Sequence, residues 1–308
     1  MTPTPDIAAR EARLGLLAAL GTFALWGVMP AYWHALSEVP PLQVVMHRAI
    51  WCAVLVSAWL TWKQGRGWLA AVLSRPRLAA MLGVSGCLIA FNWSLYVWAV
   101  STGHVVEASL GYFINPLLNV VIGVLFLRER LSRAQWVAVL LAMVGVLWLT
   151  FSYGSFPWIA VSLAASFAFY GLIRKFAAVE PVTGLGVENL IVFLPAVAAL
   201  WWFETHGDGG FFSLRWGVAT DAMLVFGGAL TAIPLIGFAF AVRRVSLTVV
   251  GLLQYMSPTI QLLIGVFVLG ETFGGERAAG FGFIWAGLVV FALDGYLAAR
   301  RRIVAQQA

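Results

Sequence analysis

Charged side chains are scarce in this chain of 308 residues, since Asp, Glu, Lys and Arg together make up only 10% of it. An average soluble domain carries about 25% charged residues. Hydrophobic residues reach 62%, and the mean hydropathy is +0.91. This balance excludes a soluble globular protein and indicates a chain that crosses a membrane many times.

Catalytic and nucleotide-binding motifs are also missing from the sequence. It contains no His-Glu-x-x-His pattern for zinc, no Gly-x-Ser-x-Gly nucleophile turn and no phosphate-binding P-loop. It also has no repeated selectivity element or ring of charges, which would be typical of a channel. No cofactor is therefore predicted. A membrane-embedded enzyme or a non-transporting membrane scaffold remains the alternative to a transporter.

Cysteine is nearly absent, because the chain has only Cys52 and Cys87. Both lie within apolar segments and lack the spacing of metal ligands, so they are interpreted as small apolar residues. The sequence therefore predicts neither a disulfide framework nor a metal site.

Long apolar segments are what the chain does have. Ten of them are visible, and each is close to the length that crosses a hydrocarbon core of about 30 Å as a helix. They cover residues 14–36, 41–62, 78–100, 104–127, 134–151, 157–173, 181–203, 219–241, 246–269 and 277–297. The first is not followed by a small-residue cleavage site, so it is expected to remain as a membrane helix.

The excess of basic residues, with a net charge of +6, follows the loops of this arrangement. When the N-terminus is placed in the cytoplasm, 16 of the 19 Lys and Arg residues fall in cytoplasmic loops and tails. This is the positive-inside pattern of membrane proteins. It predicts two cytoplasmic termini and membrane lipid, rather than nucleic acid, as the partner of the basic surface.

An internal repeat divides the chain into two halves. Residues 257–273 repeat the pattern of residues 115–131, with an offset of 142 positions. Aligned without gaps, the two segments match at Pro116/Pro258, Ile122/Ile264, Gly123/Gly265, Val124/Val266, Leu127/Leu269 and Glu129/Glu271. Five spans per half force the halves to be inverted, an arrangement typical of alternating-access transporters. The predicted fold is an all-α polytopic membrane protein with ten transmembrane helices in two inverted five-helix repeats. The predicted boundaries are 14–151 and 157–297 for the repeats, with cytoplasmic tails at 1–13 and 298–308.

Several segments resemble a known family. They are GHVVEASLGYFINPLLNVVIGVLFLRERL at 103–131, VMHR at 45–48, NWSLY at 92–96, LLQY at 252–255 and GFIW at 282–285. The chain resembles RarD-type permeases of the EamA branch of the drug/metabolite transporter superfamily over nearly its whole length. The resemblance implies a central cavity between two inverted repeats in a bacterial inner membrane, and export of small organic solutes such as amino acids, metabolites or amphipathic drugs. The family label is linked to chloramphenicol sensitivity. Neither the physiological substrate nor the oligomeric state follows from it.

Polar and aromatic residues near the middle of the predicted spans are candidates for lining that cavity. Aromatic walls with a few polar groups suit small organic molecules. The candidates are Asn92, Trp93, Tyr96, Tyr112, Asn115, Asn119, Gln254 and Tyr255. Pro116 and Pro258 occupy equivalent positions in the repeat and are predicted to interrupt or hinge their helices.

Charged residues inside spans are candidates for gating or coupling, because an unpaired charge there is costly. Arg48 and Glu107 lie at similar depth, so they are interpreted as a structural ion pair, a gate, or a binding group for a zwitterionic substrate. His104 and Glu107 share a helix face and could form a proton site, although His104 is equally consistent with the wet interface. Glu188 lies deep in its span from the opposite side. Proton coupling, substrate exchange and facilitated diffusion all remain open.

Overall fold

The structure is a computed structural model that describes residues 5–151, 156–207, 209–268 and 274–307. Every regular element in these ranges is a helix. The helices are α1 (Pro5–His34), α2 (Pro41–Gln64), α3 (Trp68–Leu73), α4 (Pro76–Ser101), α5 (Val105–Leu125), α6 (Arg133–Phe151), α7 (Trp158–Phe176), α8 (Pro181–Thr205), α9 (Val218–Val242), α10 (Leu247–Gln254), α11 (Met256–Phe267) and α12 (Gly275–Gln307).

Ten helical segments in the described residues are long and apolar enough to cross a membrane, which confirms the predicted number of spans. Helices α10 and α11 together form the ninth span, and the short helix α3 lies between the second and third. Segment 269–273, which includes the Leu269 and Glu271 positions of the repeat, lies outside the described residues.

Both predicted tails are largely helical in the described residues. Helix α1 begins at Pro5, and α12 continues to Gln307. Both extensions are rich in Ala and Arg, which are strong helix formers and carry the helix beyond its apolar part. The cytoplasmic location of the tails stays a prediction.

The helices pack mostly across the two halves of the chain, α1–α6 and α7–α12. In matching order, α1, α2, α4, α5 and α6 correspond to α7, α8, α9, α10–α11 and α12. The packing of α1 on α9 then corresponds to the packing of α7 on α4. In the same way, the packing of α1 on α11 corresponds to that of α7 on α5, and the packing of α2 on α9 corresponds to that of α8 on α4. In the remaining major pairs, each helix packs on the helix that matches it in the other half of the chain. These pairs are α2 with α8, α5 with α10 and α6 with α12.

Two glycines allow α6 and α12 to cross closely. A Cβ atom on Gly145 would lie 2.5 Å from the carbonyl oxygen of Gly280, and one on Gly287 would lie 2.7 Å from that of Ala138. Each clash is with backbone, which cannot move away like a flexible side chain. Small residues at helix crossings are how membrane helices approach one another.

We expect Gly145→Ala and Gly287→Ala each to destabilise the protein by about 1–3 kcal/mol, because the added methyl overpacks a backbone contact. Gly282→Ala on the same helix is the matched control, since nothing lies within 4 Å of its Cβ position. That control should be neutral or stabilising by up to about 1 kcal/mol. Thermal unfolding of the purified protein measures the stability of all three variants. Equal unfolding temperatures of Gly282→Ala and Gly287→Ala would contradict the packing argument.

Candidate functional site

A chain of buried amide side chains links the two halves at the centre of the bundle. Asn119 on α5 donates through Nδ2 to Gln254 Oε1 on α10 at 2.8 Å and to Asn115 Oδ1 at 3.1 Å. Asn115 in turn donates to the backbone oxygen of Ala164 on α7 at 3.3 Å. Asn119 is fully buried, and its Oδ1 accepts no hydrogen bond from any described group. The structure therefore joins three of the predicted cavity residues into one network across the halves.

Close contact between α5 and α10 brings this network together. A Cβ atom on Gly251 would lie 2.5 Å from the backbone oxygen of Pro116 and 3.0 Å from Cβ of Asn119. Because Gly251 has no side chain, α10 can approach within hydrogen-bonding reach of Asn119. A larger residue would separate Gln254 from its partner.

The two prolines behave differently. Helix α5 continues without interruption through Pro116. On the other side, α10 ends at Gln254 and α11 begins at Met256, so the helix is interrupted at Tyr255, three residues before Pro258. Proline lacks an N–H and crowds the preceding turn, which accounts for the interruption. Tyr255 itself is fully buried and donates to the backbone oxygen of Phe113 at 3.1 Å.

Tyr112 marks an open space inside the bundle. It shares a face of α5 with Ala108, Asn115, Pro116 and Asn119, which are all buried, because positions three, four and seven apart line one side of a helix. Yet 44% of Tyr112 is exposed. Its accessible surface therefore faces a cavity between helices rather than the outer surface. The ring of Tyr96 on α4 lies 6.3 Å away.

Arg48 lies in the same region and is surrounded by four other helices. Its Nε donates to Thr231 Oγ1 on α9 at 3.1 Å. Its guanidinium carbon lies 4.6 Å from the ring centre of Trp33 on α1 and 5.9 Å from that of Trp93 on α4. Tyr96 on α4 and Tyr112 on α5 also lie near it.

Glu107 has a different environment from Arg48. It is buried, and its Oε1 accepts a hydrogen bond from the backbone N–H of Ile159 in the first turn of α7 at 2.8 Å. A carboxylate at this position satisfies a free helix N–H and interacts favourably with the helix dipole. The two residues predicted as an ion pair or gate thus contact separate groups in this structure.

His104 and Asn92 lie at the edges of the site. His104 is exposed at the start of α5, where its ring stacks on Trp98 at 5.6 Å and its Nδ1 lies 2.9 Å from Thr102 Oγ1. Asn92 on α4 donates to Ser166 Oγ at 2.9 Å and to the backbone oxygen of Leu163 at 2.8 Å, both on α7. Asn92 therefore connects the halves through direct protein contacts.

Glu188 belongs to a second polar cluster, which is buried toward the end of the bundle that contains the N-terminus. It pairs with Arg174 on α7 at 3.4 Å and accepts hydrogen bonds from Ser85 on α4 at 2.5 Å and Tyr170 on α7 at 3.3 Å. Arg174 also donates to the backbone oxygen of Pro181 at 2.9 Å. Both charged side chains are almost fully buried.

Arg174 is the main site residue that sequence reasoning missed. It was counted among the loop arginines, yet it is one of the largest fully buried side chains in the described structure. A signal was present, because Tyr170 and Arg174 are four residues apart on one helix face. Gly184 makes room for the guanidinium, since a Cβ atom there would collide with Arg174 Nη1.

Two largely apolar grooves are present among the described residues, and Trp93 lines the second of them. One of about 670 Å³ is formed by α5, α6 and α7, with Leu117, Met143 and Phe151 among its lining residues. The other, of about 280 Å³, lies between α2, α4 and α8. Their apolar linings suit lipid chains. Among the described residues, no group of three or more His, Cys, Asp or Glu side chains could hold a metal ion.

Ten apolar spans that enclose polar and aromatic side chains define a multi-pass α-helical membrane protein. Residues 13–151 match the EamA-like transporter family. The chain is 42% identical to Protein RarD of Streptomyces exfoliatus over 96% of its length and 93% of that relative, and 40% identical to Protein RarD of Escherichia coli strain K12 over 95% and 98%. The chain belongs to the RarD-type permeases of the EamA-like transporter family.

Two further comparisons bear on the family and the fold. A protein of Pseudomonas aeruginosa named Chloramphenicol-sensitive protein RarD is 29% identical over 91% of this chain and 94% of its own length. One solved crystal structure superposes with a TM-score of 0.69 at 19% identity, covering 91% of this chain and 97% of the solved chain. At that identity, the superposition supports the fold alone.

Proposed function

We propose that this protein is a secondary transporter that exports small organic solutes across the bacterial inner membrane by alternating access. The observation that carries the proposal is the polar and aromatic interior between the two halves of the chain. The amide network of Asn115, Asn119 and Gln254 joins the halves, and Arg48 lies among Trp33, Trp93 and Thr231 from three other helices. Polar groups at the interface of two repeats are expected of an alternating-access transporter.

Polar contacts between helices hold the end of the bundle that contains the N-terminus. Lys175 at the end of α7 donates to the backbone oxygens of Val242 and Val245 at 2.7 and 2.8 Å. Arg243 donates to the backbone oxygen of Val179, and Arg244 pairs with Glu11 at 2.7 Å. These contacts, together with the buried Arg174 cluster, tie α7 and α8 to α9 and α1 and would have to rearrange before a solute could pass.

The distribution of charge supports the proposed orientation. Lys and Arg gather at the end that contains the N-terminus, and the positive-inside rule then makes that end cytoplasmic. The names of the relatives support transport, because the family and several of its members are named as transporters.

Inverted repeats form part of the proposal. The cross-half helix pairs described above map onto one another when the two halves are exchanged, and Gly145 and Gly287 make equivalent backbone contacts. Both patterns are expected of two five-helix repeats related by an approximate twofold axis. They support boundaries at 14–151 and 157–297.

Site-directed thiol labelling tests the proposal. In a variant with Cys52→Ala and Cys87→Ala, a new cysteine at Tyr112→Cys should react with a membrane-impermeant thiol reagent in intact cells. Inside-out vesicles should also show labelling, because alternating access exposes the site to each side in turn. Tyr255→Cys is the buried control and should react slowly from either side. Labelling of Tyr112→Cys from one side alone would favour a scaffold or membrane enzyme.

Proton coupling through a carboxylate makes a separate prediction. If coupling uses Glu107 or Glu188, then Glu107→Gln or Glu188→Gln should abolish the dependence of transport on pH. Gln keeps an oxygen that can accept the hydrogen bond from the Ile159 backbone N–H. Glu107→Gln therefore removes the titratable carboxylate but retains the contact with the first turn of α7. Transport measured in proteoliposomes at several pH values decides the question. Unchanged pH dependence in both variants would reject carboxylate coupling.

A further inference from the structure

Arg48 is a partly buried cation inside the bundle, and its partners in the protein are all uncharged at neutral pH. Its Nε is held by Thr231, whose own hydroxyl donates to the backbone oxygen of Gly227 at 2.8 Å. Among the described side chains, the ion pairs are Arg174 with Glu188 and Arg244 with Glu11, and Arg48 takes part in neither. Tyr96, Tyr112 and Cys52 are its nearby titratable groups, and all three are uncharged at neutral pH.

A charge in this position is expensive unless a counter-charge reaches it. An ionised side chain within the membrane usually pairs with another group or faces a water-filled cavity. Glu107, the carboxylate at similar depth, is already engaged at the start of α7. The Nη groups of Arg48 therefore remain available to an anion that enters the space beside Tyr112.

The surrounding rings define the shape of such an anion. Trp33 lies against the guanidinium, and Trp93, Tyr96 and Tyr112 contribute further aromatic surface from α4 and α5. Gly227 lies beside this pair, since a Cβ atom there would lie at ordinary contact distances, 3.4 Å from the Trp33 ring and 3.6 Å from Cγ of Arg48. Aromatic surface favours a flat or apolar body, whereas an arginine binds a carboxylate through two parallel hydrogen bonds.

We infer that Arg48 anchors the carboxylate of the transported solute, and that the substrates are small organic acids with a flat or apolar body. Thr231 accepts from Nε at one edge of the guanidinium, which leaves the Nη groups for the carboxylate. The aromatic side chains contact the body of the solute. This inference rests on the proposed function, and it names the class of substrate.

Binding to the purified full-length protein in detergent tests the inference with three matched probes. They are 3-phenylpropionate, its amide 3-phenylpropanamide and the amine 3-phenylpropylamine, which differ only in the head group. A thermal-shift titration should show saturable stabilisation by the carboxylate and at least about tenfold weaker binding of the other two, as expected when a hydrogen bond to a charged group is lost. Equal binding of the amide would overturn the inference.

Variants at Arg48 supply the second arm. Arg48→Gln should weaken carboxylate binding by roughly 10- to 150-fold while leaving binding of the amide unchanged. Arg48→Lys keeps the charge but loses the two-point contact, so its affinity should be intermediate. Arg215→Gln, which removes an exposed arginine from the loop before α9, is the matched control and should bind like the wild type.

The outcomes separate this inference from the transporter proposal. Carboxylate binding that is unchanged in Arg48→Gln would place the anion elsewhere and overturn the inference, even if Tyr112→Cys is labelled from both sides. A panel of aromatic and aliphatic carboxylates that produces no shift in the wild type would also overturn it. One-sided labelling with Arg48-dependent carboxylate binding would overturn transport while keeping the site. The unfolding temperature of each ligand-free variant shows whether the fold is retained.

Discussion

Glu188→Leu is expected to be the most destabilising single substitution in this protein, by about 3–5 kcal/mol. It would leave the Arg174 guanidinium buried without its carboxylate, and Tyr170 without its acceptor. Removing one partner of a buried ion pair strands the other charge, and this penalty exceeds the net contribution of the intact pair. Ser85 would keep its second acceptor, the backbone oxygen of Leu82.

A double-mutant cycle measures the interaction between the two charges directly. Arg174→Met combined with Glu188→Leu removes both charges, and apolar replacement of a complete buried pair is often neutral or stabilising. We expect the double variant to recover at least about 2 kcal/mol relative to Glu188→Leu. Thermal unfolding in detergent measures each corner of the cycle. Additive losses in the double variant would show that the two charges do not interact.

Glu188→Gln distinguishes the charge from the hydrogen bonds. The amide oxygen can still accept from Ser85 or Tyr170, but it carries no charge to offset Arg174. Its loss of stability should therefore fall between that of the wild type and that of Glu188→Leu. The cluster lies toward the end of the bundle that contains the N-terminus, so transport in the double variant also reports whether this pair controls opening there.

Asn119→Leu is expected to have the second-largest effect, a loss of about 2–4 kcal/mol. The substitution removes the donor to both Gln254 and Asn115, and so leaves two buried acceptor oxygens unsatisfied. Each buried polar group without a partner costs about 1–3 kcal/mol. Because this network joins α5 to α10, the rate of transport should fall as well.

The matched control combines Asn119→Leu with Gln254→Leu. Replacing both partners by apolar side chains of similar size removes the unsatisfied Gln254 oxygen, so the double variant should be more stable than Asn119→Leu alone. If Asn119→Leu unfolds at the same temperature as the wild type, the network contributes little to holding the halves together. A stable double variant that still fails to transport would assign the amides a role beyond packing.

Residue types near the centre of the spans could be selected from the sequence, because polar groups stand out among apolar residues. Asn115, Asn119 and Gln254 were predicted in this way, and the structure joins them in one network. Their partners could not be predicted, since a hydropathy pattern gives the depth of a residue but not the direction it faces. Arg48 and Glu107 illustrate the limit, because they lie at similar depth yet contact α9 and α7 respectively.

The sequence by itself determined the ten spans, the concentration of basic residues at one end and the internal repeat. These follow from composition and order along the chain, which the hydrophobic thickness of a membrane translates directly into helices. Only the tertiary structure decided that Arg174 is buried beside Glu188, that Tyr112 faces an open space and that Arg48 is enclosed by aromatic rings. Such contacts depend on how each helix is rotated and how closely it is packed, and glycines far apart in the sequence set both by allowing backbones to touch.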